Sequence, residues 1–219
     1  MRLQFKSFGF SVLGAPLRYA PCNKECKLLV IAAMHGEEPE TTFLLSRALR
    51  PFEKNLDSVA FVLCANPDGV ALGTRGNANG VDLNRNFETS NWTADAVTCR
   101  SVLEANRDTL LSPGTAAGSE PETRALVKLI DELKPQAVLS IHAPIGCIDA
   151  PAKTPLVEKL ERVFRLPHVA DIGYQTPGSF GTWCAERHLE CVTLELPRLA
   201  PELLFDRYGA EFTEFLADF

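Results

Sequence analysis

Residues 27–40 read Lys27-Leu28-Leu29-Val30-Ile31-Ala32-Ala33-Met34-His35-Gly36-Glu37-Glu38-Pro39-Glu40. Past the lysine the run is continuously apolar up to Met34, short and β-branched in part, which suits a strand buried on both faces. The chain then turns and enters a helix-length stretch at 38–50. Runs of the same character recur at 59–65 (VAFVLCA), 137–141 (AVLSI) and 191–196 (CVTLEL). Helix-length stretches lie at 120–133, 154–164, 180–188 and 201–219. At 120–133 Ser119 is expected to cap the helix with Glu122 as its capping-box partner and Pro121 in the first turn. Strands alternating with helices predict an α/β class fold, a three-layer α/β/α sandwich around a mixed, largely parallel central sheet. Ligand sites in such sheets form where the strands end. The one long stretch without clear periodicity, 66–91, is rich in Gly and Asn and is read as a functional loop.

The chain has 219 residues, enough for one domain spanning 1–219. At 46% hydrophobic and 23% charged it is neither disordered nor fibrous. The 22 basic against 28 acidic side chains provide no global field for nucleic acid or an anionic membrane, so neither is expected as a partner. No apolar run approaches a membrane span of about 18 residues, and the N-terminus lacks the pattern of an export signal. A cytoplasmic location is expected. An odd count of seven cysteines, several inside apolar runs, predicts reduced thiols rather than a disulfide framework. The Cys22-x₃-Cys26 pair has no second pair at matching spacing and is not read as a zinc site.

His35 and Glu38, three apart across the strand-to-helix turn, can converge on one metal ion. Glu37 and Glu40 are expected to be solvated acids of the first helical turn. His142 ends the run at 137–141, so parallel strands in register bring it to the same sheet edge as His35. Two histidines and a carboxylate there make the ligand set of a catalytic zinc ion that keeps a fourth position for water. Glu195 lies between apolar residues within 191–196. A buried acid is costly unless paired with a core arginine or used for proton transfer, and a metal-activated water needs such a base. In the long loop, Arg75, Asn84 and Arg85 make a fork for a substrate carboxylate, with Asp82 placed to orient Arg85 from behind. His168 and His188 are read as structural.

In order along the chain come His35-x-x-Glu38, Asn66-Pro67-Asp68-Gly69, Asp82-Leu83-Asn84-Arg85-Asn86-Phe87, His142, Tyr174-Gln175 with Gly178 and Trp183, and Thr193-Leu194-Glu195-Leu196. This series resembles the zinc metallocarboxypeptidase family related to carboxypeptidase A. The resemblance implies one Zn²⁺ per chain on His35, Glu38 and His142, with Glu195 as general base and acid. It implies that Arg75 polarises the scissile carbonyl, that Asn84 and Arg85 hold a terminal carboxylate, and that Tyr174 caps the substrate. Gly181 falls where the specificity pocket is shaped and leaves its floor open.

Within the family, residues 13–17, 77–87, 118–123 and 176–181 are similar to the branch that cleaves murein peptides. That likeness implies a small peptide substrate, murein tripeptide (L-Ala-γ-D-Glu-meso-diaminopimelate), cut at the γ-D-glutamyl–meso-diaminopimelate bond during cell-wall recycling. Asp149 then becomes a candidate for the distal ammonium of diaminopimelate and Arg198 for a carboxylate. A homodimer is the default for an α/β enzyme of this size. The alternatives are an acylase of the aspartoacylase or succinylglutamate desuccinylase type, a carboxypeptidase of other specificity, and a non-catalytic zinc-binding scaffold.

Overall fold

The structure, a computed structural model, describes residues 3–101 and 107–219, with backbone alone at 98–101 and 107–109. The four runs expected as buried strands are β3 (Leu28–Ala32), β4 (Val59–Val62), β7 (Ala137–His142) and β10 (Glu190–Pro197). They lie side by side in the order β4-β3-β7-β10, and every neighbouring pair is parallel. Shorter strands extend this core into an eight-stranded mixed sheet. On one side are β1 (Lys6–Phe10) and β2 (Pro16–Ala20); on the other are β8 (Ile145–Asp149) and β9 (His168–Val169). β8 runs antiparallel to β10 and β2 antiparallel to β4. A separate antiparallel pair joins β5 (Val97–Ser101) to β6 (Arg107–Leu111). Cys99 lies on it, outside the described side chains.

Side chains alternate across β3. Leu28, Val30 and Ala32 join one core with α1 (Pro39–Ala48), α4 (Pro155–Phe164) and α6 (Pro201–Ala217). Leu29 and Ile31 join a second core with α3 (Pro121–Leu133) and α5 (Phe180–Ala185). The two cores make the three layers of the expected sandwich, because a strand buried on both faces needs a helical layer over each. The long loop is more ordered than its sequence suggests. It holds a short helix, α2 (Pro67–Leu72), and one 3-10 turn at Leu83–Arg85.

The start of α3 departs from expectation. Its N-cap is Glu120 without a side-chain cap bond, so the Ser119/Glu122 capping box is not formed. Ser119 instead donates to Glu120, and Glu122 accepts from Val12 N at 3.0 Å and from Asn77 Nδ2 at 3.0 Å. Asn77 Nδ2 also reaches Glu120 at 2.7 Å. Both acids have been drawn from the helix end to the loop that carries Arg75, which a buried amide donor rewards more than a water-competed cap.

Two local features aim His35 and Glu38, the first two of the expected metal ligands. Ala33 adopts a left-handed φ of 49°, which turns the chain out of β3 at a cost to alanine of roughly 1–2 kcal/mol. Thr41 Oγ1 stabilises that turn, accepting from Ala33 N at 2.9 Å and donating to Glu38 O at 2.7 Å. Gly36 packs so close to Gly69 that a Cβ there would sit 2.0 Å from the Gly69 carbonyl carbon. Only glycine allows the turn carrying His35 and Glu38 and the long loop to meet backbone to backbone.

Candidate metal centre and active site

The parallel register sets the ends of three strands together. Ala32 pairs with Ile141, and His142 pairs directly with Glu195. His35 Nδ1 lies 2.7 Å from Glu38 Oε1, His142 Nδ1 lies 3.2 Å from Glu38 Oε2, and the two Nδ1 atoms are 3.1 Å apart. All three residues are buried. Their outer nitrogens are already engaged: His35 Nε2 with Asp82 Oδ1 at 3.1 Å, His142 Nε2 with Ser140 Oγ at 2.9 Å. That leaves both Nδ1 atoms turned inward toward one carboxylate, and these donor atoms all fall within 4.8 Å of one another.

The set fits zinc. Two ligands at about 2.0–2.1 Å from a tetrahedral ion stand roughly 3.3 Å apart, close to the separations seen here. Two imidazole nitrogens 3.1 Å apart cannot both carry protons, whereas a shared cation suits both. Asp82 and Ser140 supply the outer hydrogen bonds that fix ring orientation in such sites.

Electrostatics within the cluster are strong. Burial pushes the His35 imidazole down and Arg75 adds to that, but Glu38 and Asp82 outweigh both and hold it up at about 9. Burial would raise Glu38, yet His35 and His142 bring its carboxyl far below the usual range. Asp82 is likewise held well below, burial being overcome by Arg75 and His35. Glu195 moves the other way. It is 9% exposed; burial raises it, Glu38 adds to the rise, and the histidines pull back only in part. Its Oε2 has no hydrogen-bond partner among the described residues, and no arginine is paired with it there. A carboxyl raised by burial beside the inward-facing His/Glu cluster suits proton transfer at that edge of the sheet.

Asp82 does not orient Arg85 as expected. Its Oδ1 accepts from Asn84 N at 2.8 Å, which opens the 3-10 turn and swings the carboxylate back toward Arg75, whose Nε lies 3.2 Å from Oδ2. Arg75 also reaches Glu37 at 3.2 Å. Glu37 is thus half-exposed but engaged, and Glu40 is half-buried rather than solvated, with burial raising its carboxyl. Arg85 is buried, donates from Nη1 to Asn84 O at 2.6 Å, and leaves Nε without a partner among the described residues. Asn84 Oδ1 accepts from Phe180 N at 2.8 Å, tying the loop to α5.

One cavity of about 810 Å³, counting its open mouth, is lined by His35, Glu38, His142, Glu195, Arg75, Asn84, Arg85, Tyr174, Gly181 and Asp149. Arg198 is exposed and lines none of it. His168 Nε2–H donates to the Ala150 carbonyl oxygen at 2.8 Å, and His188 sits exposed past the end of α5. The sequence reading missed Ser140, although its place two residues before His142 on the same strand face was a usable signal. It also missed the link from Asp82 to His35, which no local pattern announces.

Residues 6–151 match the family described as zinc carboxypeptidase. The chain is 44% identical over 204 residues to murein peptide amidase A of Escherichia coli strain K12, covering 92% of this chain and 84% of that protein. It is 43% identical over 213 residues to the protein of the same name from Vibrio campbellii, covering 96% and 86%. The crystal structure of a murein-tripeptide amidase from Escherichia coli O157 superposes with a TM-score of 0.92 at 42% identity, over 97% of this chain and 91% of that one. A carboxypeptidase A from Helicoverpa armigera shares the fold alone, with a TM-score of 0.70 at 17% identity over 98% of this chain and 68% of that one.

Proposed function

The chain belongs to the zinc carboxypeptidase family, and we propose that it hydrolyses the γ-D-glutamyl–meso-diaminopimelate bond of murein tripeptide. The observation that carries this reading is one cavity in which an inward-facing His35/Glu38/His142 set, an unpaired buried Glu195 oxygen and the Asn84/Arg85 fork all meet. Support for the substrate comes from relatives whose names specify murein peptide.

Zinc, when bound by His35, Glu38 and His142, supplies Lewis acidity toward the scissile carbonyl and acidifies a water. The remaining work falls to the chain itself. Arg85 and Asn84 bind the free α-carboxylate of the C-terminal diaminopimelate and set the register of the peptide. Arg75, steadied by Asp82, donates to the carbonyl oxygen as negative charge develops there. Removing one such donor costs roughly 3–4 kcal/mol of transition-state stabilisation. Glu195 takes a proton from the attacking water and passes it to the departing amino nitrogen as the C–N bond breaks. Tyr174, at the cavity wall, covers the substrate.

The setting we propose is cytoplasmic turnover of released wall peptides. The six described cysteine side chains are free thiols, the state a reducing compartment maintains. No described helix is long and apolar enough to cross a membrane. The test is incubation with L-Ala-γ-D-Glu-meso-diaminopimelate, with and without a chelator, followed by mass analysis. Release of diaminopimelate that the chelator abolishes is expected. Cleavage of N-acetylaspartate or succinylglutamate in its place would assign the chain to the acylases.

A further inference from the structure

The catalytic cavity does not end at Gly181. It adjoins a second space of about 1350 Å³, counting its open part, and the two share Asp149, Thr176, Ser179, Gly181 and Thr193. A Cβ built on Gly181 would meet no heavy atom within 4 Å, so the passage is wide. Beyond it the walls carry the small side chains of Ala150, Ala152, Ala170 and Ala185. A long side chain entering past the catalytic groups has room to continue.

Asp149 stands at the junction. It sits on β8 opposite Thr193 of β10, two residues before Glu195, so the sheet itself fixes its distance from the catalytic acid. Its carboxylate makes no hydrogen bond or ion pair among the described residues that the structure resolves. Burial and the like charge of Asp171 raise its carboxyl, with His142 and His168 opposing. A half-buried acid within the field of a second acid is in an environment that an incoming cation relieves.

The other charges at the deep end agree. The arginines lining the first cavity, Arg75 and Arg85, are at the catalytic end. Among the described residues no lysine or arginine lines the second space, where the charged side chains are Asp149 and Glu190. Glu190 already accepts from the Thr154 hydroxyl. Arg198, expected from the sequence to read a carboxylate, lines neither space.

We infer that Asp149 is a specificity-determining residue, receiving the distal ammonium of the substrate's C-terminal residue, whose side chain passes Gly181 into the second space. The inference rests on the proposed peptidase activity and sharpens it. It says that the deep end selects the ammonium of diaminopimelate and not its distal carboxylate.

Three tripeptides of the form L-Ala-γ-D-Glu-X separate these possibilities, with X as meso-diaminopimelate, L-lysine (ammonium kept, distal carboxylate absent) or 2-aminopimelate (carboxylate kept, ammonium absent). The wild-type, zinc-loaded enzyme should favour the lysine peptide over the 2-aminopimelate peptide in kcat/KM by at least about tenfold. Asp149→Asn should collapse that ratio toward one. A wild-type preference for 2-aminopimelate, or a lysine preference that survives Asp149→Asn, overturns the inference while leaving the peptidase reading intact. If none of the three peptides is cut, the peptidase reading fails and this inference with it. Gly181→Leu serves as a second variant, should Asp149→Asn fold poorly. Narrowing the passage should raise KM for the diaminopimelate and lysine peptides about tenfold, and an unchanged KM counts against entry by this route.

Discussion

Asp82 Oδ1 lies 3.1 Å from His35 Nε2 across 47 residues of chain, and both side chains are buried. The other oxygen of the same carboxylate holds Arg75. One buried acid therefore orients a proposed metal ligand and the proposed carbonyl-polarising arginine together. Asp82→Asn keeps the shape and removes the charge from both. Zinc affinity should fall about 10–100-fold, read by competition with a chromophoric chelator; an affinity equal to the parent's would dismiss the coupling. The parent should gain about 2.7 kcal/mol of stability from zinc at a hundred times its Kd, and His142→Ala should abolish most of that gain.

Glu195 has a distinctive pH signature. As the base it must be ionised, and burial raises its carboxyl, so the acid limb of kcat/KM should lie above the ordinary glutamate value of about 4.3. Glu195→Gln should lower kcat about 10²–10⁴-fold with zinc content unchanged. Full activity in that variant removes Glu195 from the mechanism. The sign for stability is the reverse of a salt-bridged acid's. The folded protein binds this proton more tightly than the unfolded chain, so the contribution is present at low pH and is lost as pH rises from the unfolded toward the folded value. Metal-free Glu195→Gln should therefore outlast its parent in thermal melts at neutral pH, and the advantage should vanish near pH 4 or below.

The two loop arginines should separate kinetically. Arg75→Ala should act mainly on kcat, by roughly 10²–10³-fold, because its donor is needed as charge develops. Arg85→Lys should act mainly on KM, since a point charge replaces a planar fork. A substrate with an amidated C-terminus should lose binding to the parent and lose little more with Arg85→Lys. Equal losses on both substrates would take Arg85 out of carboxylate recognition.

Asn77 is a buried link between the loop and α3, donating to Glu120 and Glu122 at once. Asn77→Asp replaces that donor with a third carboxylate. Destabilisation of about 3 kcal/mol or more is expected, lowering the melting temperature by roughly 5–10 °C. A melt indistinguishable from the parent's would show that the network is not needed to hold the loop.

Much of this molecule is legible in one dimension. Apolar runs of strand length, helix-length stretches between them and the spacing of His35, Glu38, His142 and Glu195 are local properties of the chain. They were sufficient for the parallel centre of the sheet, because a continuously apolar strand must be covered on both faces, and for the meeting of His35, Glu38 and His142 at one sheet edge. Strands β1, β2, β8 and β9 were not legible: they lie toward the sheet's margins, are short, and carry mixed burial that resembles a loop. Tertiary structure alone decided which donor each buried polar group found. Asp82 went to Arg75 and His35, Glu120 and Glu122 left their helix end for Asn77, and Asp149 came to stand where two cavities meet. A buried polar group must be satisfied by whatever partner comes within about 3 Å after the chain closes, and sequence spacing does not encode that distance for residues brought together from separate elements.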